Sequence, residues 1–160
     1  MSDEETLKAL KEENKQIKLL YRVSNLIHQS LDPKTALNVI LQQAIELTHA
    51  HSASVSLINP TSGLLELEAA VGLPNEAYAD FNLPIGRGIT GWVAKKGKSA
   101  LINDVQEDVR YVSIWAEVQS ELAVPFDIND QVRGVLNVDA THKDAFNEND
   151  RKMLSNLAIQ

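Results

Sequence analysis

Two pairs of segments alternate apolar and polar residues with a period of two, and a short turn joins the members of each pair. Ser54-Val55-Ser56-Leu57-Ile58 and Leu65-Glu66-Leu67-Glu68-Ala69 flank Asn59-Pro60-Thr61-Ser62-Gly63, and Ser120-Glu121-Leu122-Ala123-Val124-Pro125-Phe126 and Val132-Arg133-Gly134-Val135-Leu136-Asn137-Val138 flank Asn129-Asp130. Alternation sends successive side chains to opposite faces of a strand, and a short turn brings the second strand back antiparallel to the first. Two such hairpins predict an antiparallel sheet. Strands arrive in pairs rather than alternating with long helices, so the class is α+β, one sheet with helices packed on it.

The remaining segments supply those helices. Between Asp3 and Ser30 there is no Pro or Gly, and Leu7, Leu10, Ile17, Tyr21 and Leu31 recur with Asn14, Ser24 and His28 at a spacing close to seven. That spacing predicts a long helix, with Glu4 and Lys8 placed to pair along its exposed face. Such a helix either lies on its own domain or pairs with a second copy as a coiled coil, in which Asn14 at a core position sets register and parallel pairing. The second is the expectation for residues 3–20, because little else in so polar a segment holds it helical. Asp32 and Pro33 have the chemistry of an N-cap and a first helical residue for a largely buried helix through His49. Asn147 with Asp150 resembles a capping box that opens a last helix, which reaches Gln160 without a C-cap. The expected organisation is a signalling helix over residues 1–20 and a globular domain over 21–160, its last helix cut from a longer protein with an effector domain C-terminal to it. Leu7, Leu10, Asn14, Ile17, Tyr21 and Leu154 are the candidate dimer-interface residues.

Pro84-Ile85-Gly86-Arg87-Gly88-Ile89-Thr90-Gly91-Trp92 contains Gly-x-Gly-x-x-Gly, and Asp104 follows near the spacing at which a dinucleotide fold keeps its ribose-binding acid. The context fails that reading. Asp80-Phe81-Asn82-Leu83-Pro84-Ile85 is poor material for a buried parallel strand, and the helical pattern after the loop stops at Gly97, too short for a crossover. A glycine-rich turn that caps a short helix is the better description. After it, the irregular stretch from Asp104 to Gln119 is long for a connection in a compact domain, and such connections usually carry function.

Composition removes several functional classes. A net charge of -7 repels phosphate backbones and anionic lipid surfaces, so neither nucleic acid nor membrane is an expected partner. The N-terminus is polar and no apolar run approaches a membrane span, which points to a cytoplasmic protein. The chain has no cysteine, so it offers no thiolate nucleophile, no zinc-thiolate site and no attachment point for a bilin. His28, His49, His51 and His142 are scattered without metal-site spacing. No nucleophile elbow, phosphate-binding Gly-Lys-Ser/Thr motif or paired His-Glu motif occurs, and the expectation is a domain without enzymatic activity.

Leu-Pro-Ile-Gly-x-Gly-Ile-Thr-Gly-Trp-Val-Ala at 83–94, Ala-Leu-Ile-Asn-Asp-Val at 100–105, Ser-Glu-Leu-Ala-Val-Pro at 120–125 and Gly-Val-Leu-Asn-Val-Asp at 134–139 together resemble the GAF domain. Ala145-Phe146 with Asp150 and Leu154 is similar to that family's closing helix. The resemblance runs from about residue 20 to the end. It implies a central antiparallel sheet with the terminal helices on one face, and on the other a small-molecule pocket roofed by the short helix and the long loop. It also implies regulatory sensing in bacterial signal transduction, with an unidentified small molecule bound and the change relayed through terminal helices at a homodimer interface. A ligand-free dimerisation module and a cyclic-nucleotide sensor are the alternatives. For the last, Lys143, Phe146 and Asp150 fit the family signature loosely, while Arg151 replaces its final Glu and no Asn precedes the Lys.

The candidate ligand residues follow from these elements. Gly88, Ile89, Thr90 and Trp92 lie on the short helix, Asn103 and Asp104 end a strand, Arg110, Tyr111 and Trp115 lie in the long loop, and Glu121 heads a strand. Aromatic rings there suit pocket walls, and Arg110 has the chemistry to grip a carboxylate or phosphate. For Trp92 the commoner role is core packing, and for Asn103 and Asp104 local turn capping competes equally.

Overall fold

In the computed structural model, which describes residues 2–29, 33–74, 82–113 and 115–159, two helices precede the first strand. They are α1 (Asp3–Gln29) and α2 (Pro33–Thr48), followed by β1 (Ser52–Ile58), β2 (Leu64–Val71) and β3 (Asn82–Pro84). Next come α3 (Gly88–Lys96), β4 (Ala100–Ile102) and a single 3-10 turn over Val105–Glu107. The chain then forms β5 (Ser120–Ile128), β6 (Gln131–Ala140) and α4 (Glu148–Ile159). The six strands form one sheet in the order β3-β2-β1-β6-β5-β4, and every neighbouring pair is antiparallel. Both expected hairpins are present, and β1 against β6 joins them at the centre of the sheet.

The alternation has a direct consequence for packing. On one face Ala53, Val55, Leu122, Val124, Leu136 and Val138 meet Leu41 and Ala44 of α2 and Leu154 and Leu157 of α4. On the other, Leu65, Ala123 and Val135 meet Ile89 and Val93 of α3. With both faces covered, β6 is buried without interruption from Gly134 to Ala140. Each fully buried Leu contributes roughly 1.5–3 kcal/mol, so these layers fix the orientation of every side chain on the central strands.

Caps and turns follow local chemistry. Asn147 and Asp150 exchange backbone-to-side-chain hydrogen bonds of 2.9 Å each, a capping box at the start of α4. A second box, not expected from the sequence, opens α1: the Glu5 amide donates to Ser2 Oγ at 3.1 Å, and the Ser2 amide donates to Glu5 Oε2 at 3.0 Å. Asn129 and Asp130 take φ of 54° and 62°, the left-handed geometry of a tight hairpin turn. Gly134 has a different reason to be glycine, because a Cβ there would run into the Ser56 carbonyl and the Phe126 ring.

Three expectations need correction. Asn82–Pro84, rejected above as a buried parallel strand, is a short antiparallel edge strand, the position in a sheet where Pro is tolerated. Leu154 has no exposed surface and is enclosed by the core between α4 and the sheet, so the domain itself occupies the side chain assigned to a partner. Lys143, considered with Asp150, pairs instead with Asp104 at 3.2 Å, while Asp150 serves the cap. Asp32 and the side chain of Tyr21 lie outside the described residues. Among the described residues no helix is long and apolar enough to cross a membrane.

Candidate functional site

The face of the sheet turned towards α3 is apolar at its centre and acidic at one end. Glu121 and Asp139 are cross-strand partners in the β5–β6 ladder, so their side chains leave the same face side by side. Asn137 precedes Asp139 by one full strand period, and Ser54 stands opposite Asn137 on β1. Glu121, Asn137 and Asp139 are only 6%, 6% and 8% exposed, and with Ser54 they form the floor of a cavity under α3. The Asn137 amide nitrogen donates to Asp139 Oδ2 at 3.1 Å, which fixes its other end as an acceptor. That acceptor, Asn137 Oδ1, is buried and has no hydrogen-bond partner among the described residues.

Electrostatics at this floor are severe. Burial pushes the Asp139 carboxyl up to about 7 against the lowering effect of its hydrogen bonds. Burial also raises Glu121 well above the usual carboxylate range, with the negative charges of Asp139 and Asp108 adding to it and Arg110 opposing. Two carboxyls this close and this dry cannot both ionise cheaply, so near neutral pH the pair holds a proton that a cation would displace.

The rest of the cavity comes from α3 and the long loop. Gly88, Ile89 and Thr90 of the first turn of α3 form its roof, and Arg87, at the N-cap in an extended conformation, provides no side-chain cap. First-turn amides have no partners within their own helix, so this end is a donor surface carrying the positive end of the helix dipole. Gly91 serves the turn by close approach: a Cβ there would come within 2.9 Å of the Pro84 carbonyl oxygen. Tyr111, Val112 and Trp115 close the side, and burial raises the Tyr111 hydroxyl to about 12, keeping it a neutral donor. The enclosed space is about 40 Å³. That is room for roughly three water molecules at 10–15 Å³ each.

Contacts outside the cavity hold the loop in place. The Trp115 ring lies against His51 with centroids 5.0 Å apart. Arg110 stacks its guanidinium over Trp92 at 4.4 Å and grips Asp108 through two hydrogen bonds of 2.9 and 2.6 Å. The hydrogen-bonded guanidinium holds Asp108 below the usual carboxylate range. Asp104 accepts from the Gln106 amide at 3.1 Å and anchors Lys143.

Of the residues marked in the sequence, the fold therefore brings Gly88, Ile89, Thr90, Tyr111, Trp115 and Glu121 to the cavity. Trp92 and Arg110 bind each other above it, Asp104 is a local cap and ion-pair partner, and exposed Asn103 offers its carbonyl to the Asp144 amide. Asn137 and Asp139 were not marked, although both are in the Gly-Val-Leu-Asn-Val-Asp run. The available signal was parity: polar residues at alternate positions of an otherwise apolar central strand share one face and need a reason to be buried there. No three His, Asp or Glu residues among those described converge as a metal-ligand set.

A family model for the GAF domain matches residues 30–160. The chain belongs to the GAF family. The Nif-specific regulatory protein of Azospirillum lipoferum is 30% identical over 133 residues, which are 79% of this chain but 21% of that protein. The free methionine-R-sulfoxide reductase of Escherichia coli is 30% identical over 78 residues, 49% of this chain and 47% of the enzyme. The corresponding reductase of Neisseria meningitidis, solved in complex with its substrate, superposes with a TM-score of 0.81 at 23% identity, covering 89% of this GAF chain and 83% of the enzyme. These enzymes overturn the expectation that the domain lacks enzymatic activity. That expectation rested on the absence of cysteine and of motifs belonging to other folds, whereas the fold itself is shared with these reductases.

Proposed function

We propose that this GAF domain is a regulatory sensor for a small zwitterion, an amino acid or close derivative. The ammonium sits on Glu121, Asp139 and Asn137 Oδ1, and the carboxylate is received by the first turn of α3. One observation carries the reading: acceptors converge on the buried floor, two carboxyls and an amide oxygen without a partner, opposite a donor surface. Unpaired buried polar groups are costly, and an ammonium offers three donors and a positive charge to the three groups on this floor. A phosphate-bearing cyclic nucleotide would place its charge against the same carboxyls. A ligand-free module would have filled this floor with apolar side chains.

The cavity is too small for an amino acid as it stands, so binding displaces the side of the pocket formed by Tyr111, Val112 and Trp115, and the 104–119 loop re-closes over the ligand. That rearrangement reaches α1 and α4 through the sheet and is relayed to an effector. The regulatory relative supports this context, of whose length the chain spans about a fifth.

Isothermal titration with the proteinogenic amino acids, free methionine sulfoxide, simple amines, simple carboxylates and cyclic nucleotides tests the reading. A zwitterion is expected to bind, and each half alone to bind at least about tenfold more weakly, the loss of one charged hydrogen-bonded group. Asp139→Asn and Glu121→Gln should each abolish the signal in a protein that still unfolds cooperatively. Binding of a cyclic nucleotide, or of a carboxylate as tightly as the zwitterion, would overturn it.

A further inference from the structure

The outer face of α3 is a basic surface on an acidic protein. Residues 82–103 hold Arg87, Lys95, Lys96 and Lys98 and no Asp or Glu, which leaves 11 of the 15 cations for the rest of the chain against all 22 acids. All four are exposed, and none has an ion-pair partner among the described residues, whereas Arg110, Lys143 and Arg151 are each paired. Lys96 suits the C-terminal end of a helix, but Arg87 stands at the N-cap, where the dipole repels a cation. Lys95, although in the last turn, runs back along the helix. Its Nζ is 3.8 Å from where a Gly86 Cβ would lie, so a second positive charge joins Arg87 at the same end. Two cations held against a helix N-terminus favour an anion from outside. Apolar side chains border this face: Ile85, 36% exposed, in the turn before α3, and Val109, 101% exposed, next to Arg110, whose guanidinium covers Trp92.

From this placement we infer that the outer face of α3 docks a short acidic segment of a partner protein, its carboxylates on Arg87, Lys95, Lys96 and Lys98 and its apolar side chains against Ile85 and Val109. Charge complementarity selects an acidic partner, and the rest of the chain selects its kind. A bilayer presents its charge to the whole domain, and a net charge of -7 opposes that approach. A segment of a few residues meets the basic face alone, because screening at physiological salt limits the reach of each charge to about 8 Å. The nine residues of α3 span about 14 Å, a distance that about five extended residues cover. On its inner side the same helix lines the cavity through Gly88, Ile89 and Thr90. The two surfaces are distinct, so this inference does not depend on the zwitterion.

Fluorescence anisotropy at low ionic strength tests it with two labelled peptides of equal length and charge, one of Glu-Glu-Leu repeats and one of Glu-Glu-Ser repeats. The leucine peptide should bind. Changing Arg87, Lys95, Lys96 and Lys98 together to Gln should weaken it at least about tenfold, since each exposed ion pair contributes about two- to fivefold. These side chains are exposed and Gln forms helix about as well as Lys, so the variant should still unfold cooperatively. Lys8→Gln, Lys11→Gln and Lys15→Gln together, on exposed residues of α1, should leave the affinity unchanged. Serine for leucine in the peptide, or Ile85→Ser with Val109→Ser in the protein, should each weaken binding about fivefold, as loss of roughly 40 Å² of apolar burial gives. No binding of the leucine peptide would overturn the inference. So would equal affinity for the two peptides, or an equal loss in the α1 variant. Phosphatidylserine vesicles binding as tightly at the same charge concentration would overturn it in favour of a lipid surface.

Discussion

Glu121 and Asp139 face each other across the β5–β6 ladder, both buried, with no cation among the described residues lying between them. In the unfolded chain Asp139 titrates near the ordinary aspartate value of 3.8, and in the folded protein burial pushes it up to about 7. Between those values the folded state binds a proton that the unfolded state has lost. Its stabilising effect is fully present below about pH 3.8 and is lost as pH rises through 7, and Glu121, also raised by burial and by the Asp139 charge, contributes in the same direction. The slope approaches about 1.4 kcal/mol per pH unit for one proton. Asp139→Asn removes the titration while keeping the shape. Denaturant melts from pH 5 to 8.5 should show the parent protein losing stability relative to this variant as pH rises; parallel curves would mean that the pair is not strained.

Gly134 permits the tight crossing of β1, β5 and β6 directly behind the cavity floor. A methyl at this position meets the Ser56 carbonyl oxygen, which belongs to the backbone and cannot swing aside, as well as the Phe126 ring. Gly134→Ala should destabilise the domain by about 3 kcal/mol, the upper part of the overpacking range, and lower the melting temperature by roughly 6–12 °C for a chain of this size. Chemical denaturation midpoints measure it directly.

The box at the start of α4 is worth less and is equally specific. Asn147 Oδ1 accepts from the Asp150 amide at 2.9 Å, and removing that acceptor exposes an unsatisfied helix N-terminus. Asn147→Ala should cost about 1 kcal/mol, and Asn147→Ser should recover most of it because a hydroxyl caps as well. Equal losses in both variants would assign the effect to something other than the cap.

These elements show what was legible. The hairpins, the short helix after the glycine turn and the α4 cap depend on neighbours a few residues apart, and local chemistry is what a single sequence displays. The edge strand Asn82–Pro84 was hidden because its stability comes from β2, a segment distant in sequence with which it pairs. The cavity was half visible for the same reason. Tyr111, Trp115 and Glu121 stood out as aromatic rings or a charge in or beside a loop, but so did Asp104 and Arg110, whose side chains are consumed by Gln106, Lys143, Asp108 and Trp92. Asn137 and Asp139 lay inside a strand that read as core. Only the pairing register puts Asp139 opposite Glu121 and turns two ordinary residues into one acidic floor.

The proton held by that floor predicts how ligand affinity depends on pH. An ammonium docking between Glu121 and Asp139 requires them ionised, so below pH 7 binding must expel the proton that Asp139 holds. Affinity for the bound zwitterion should therefore rise with pH from 5.5 to 7, by up to about tenfold per unit, and level off as the pair ionises. The sign is opposite for a ligand that binds through an anionic group against the same carboxyls, since ionising them would repel it. Titrations in buffers of different ionisation enthalpy separate the two, because proton release makes the apparent binding enthalpy depend on the buffer. An affinity flat across this window, with no buffer dependence, would remove Glu121 and Asp139 from the ligand's ammonium and leave the donor surface of α3 as the part of the pocket that recognises it.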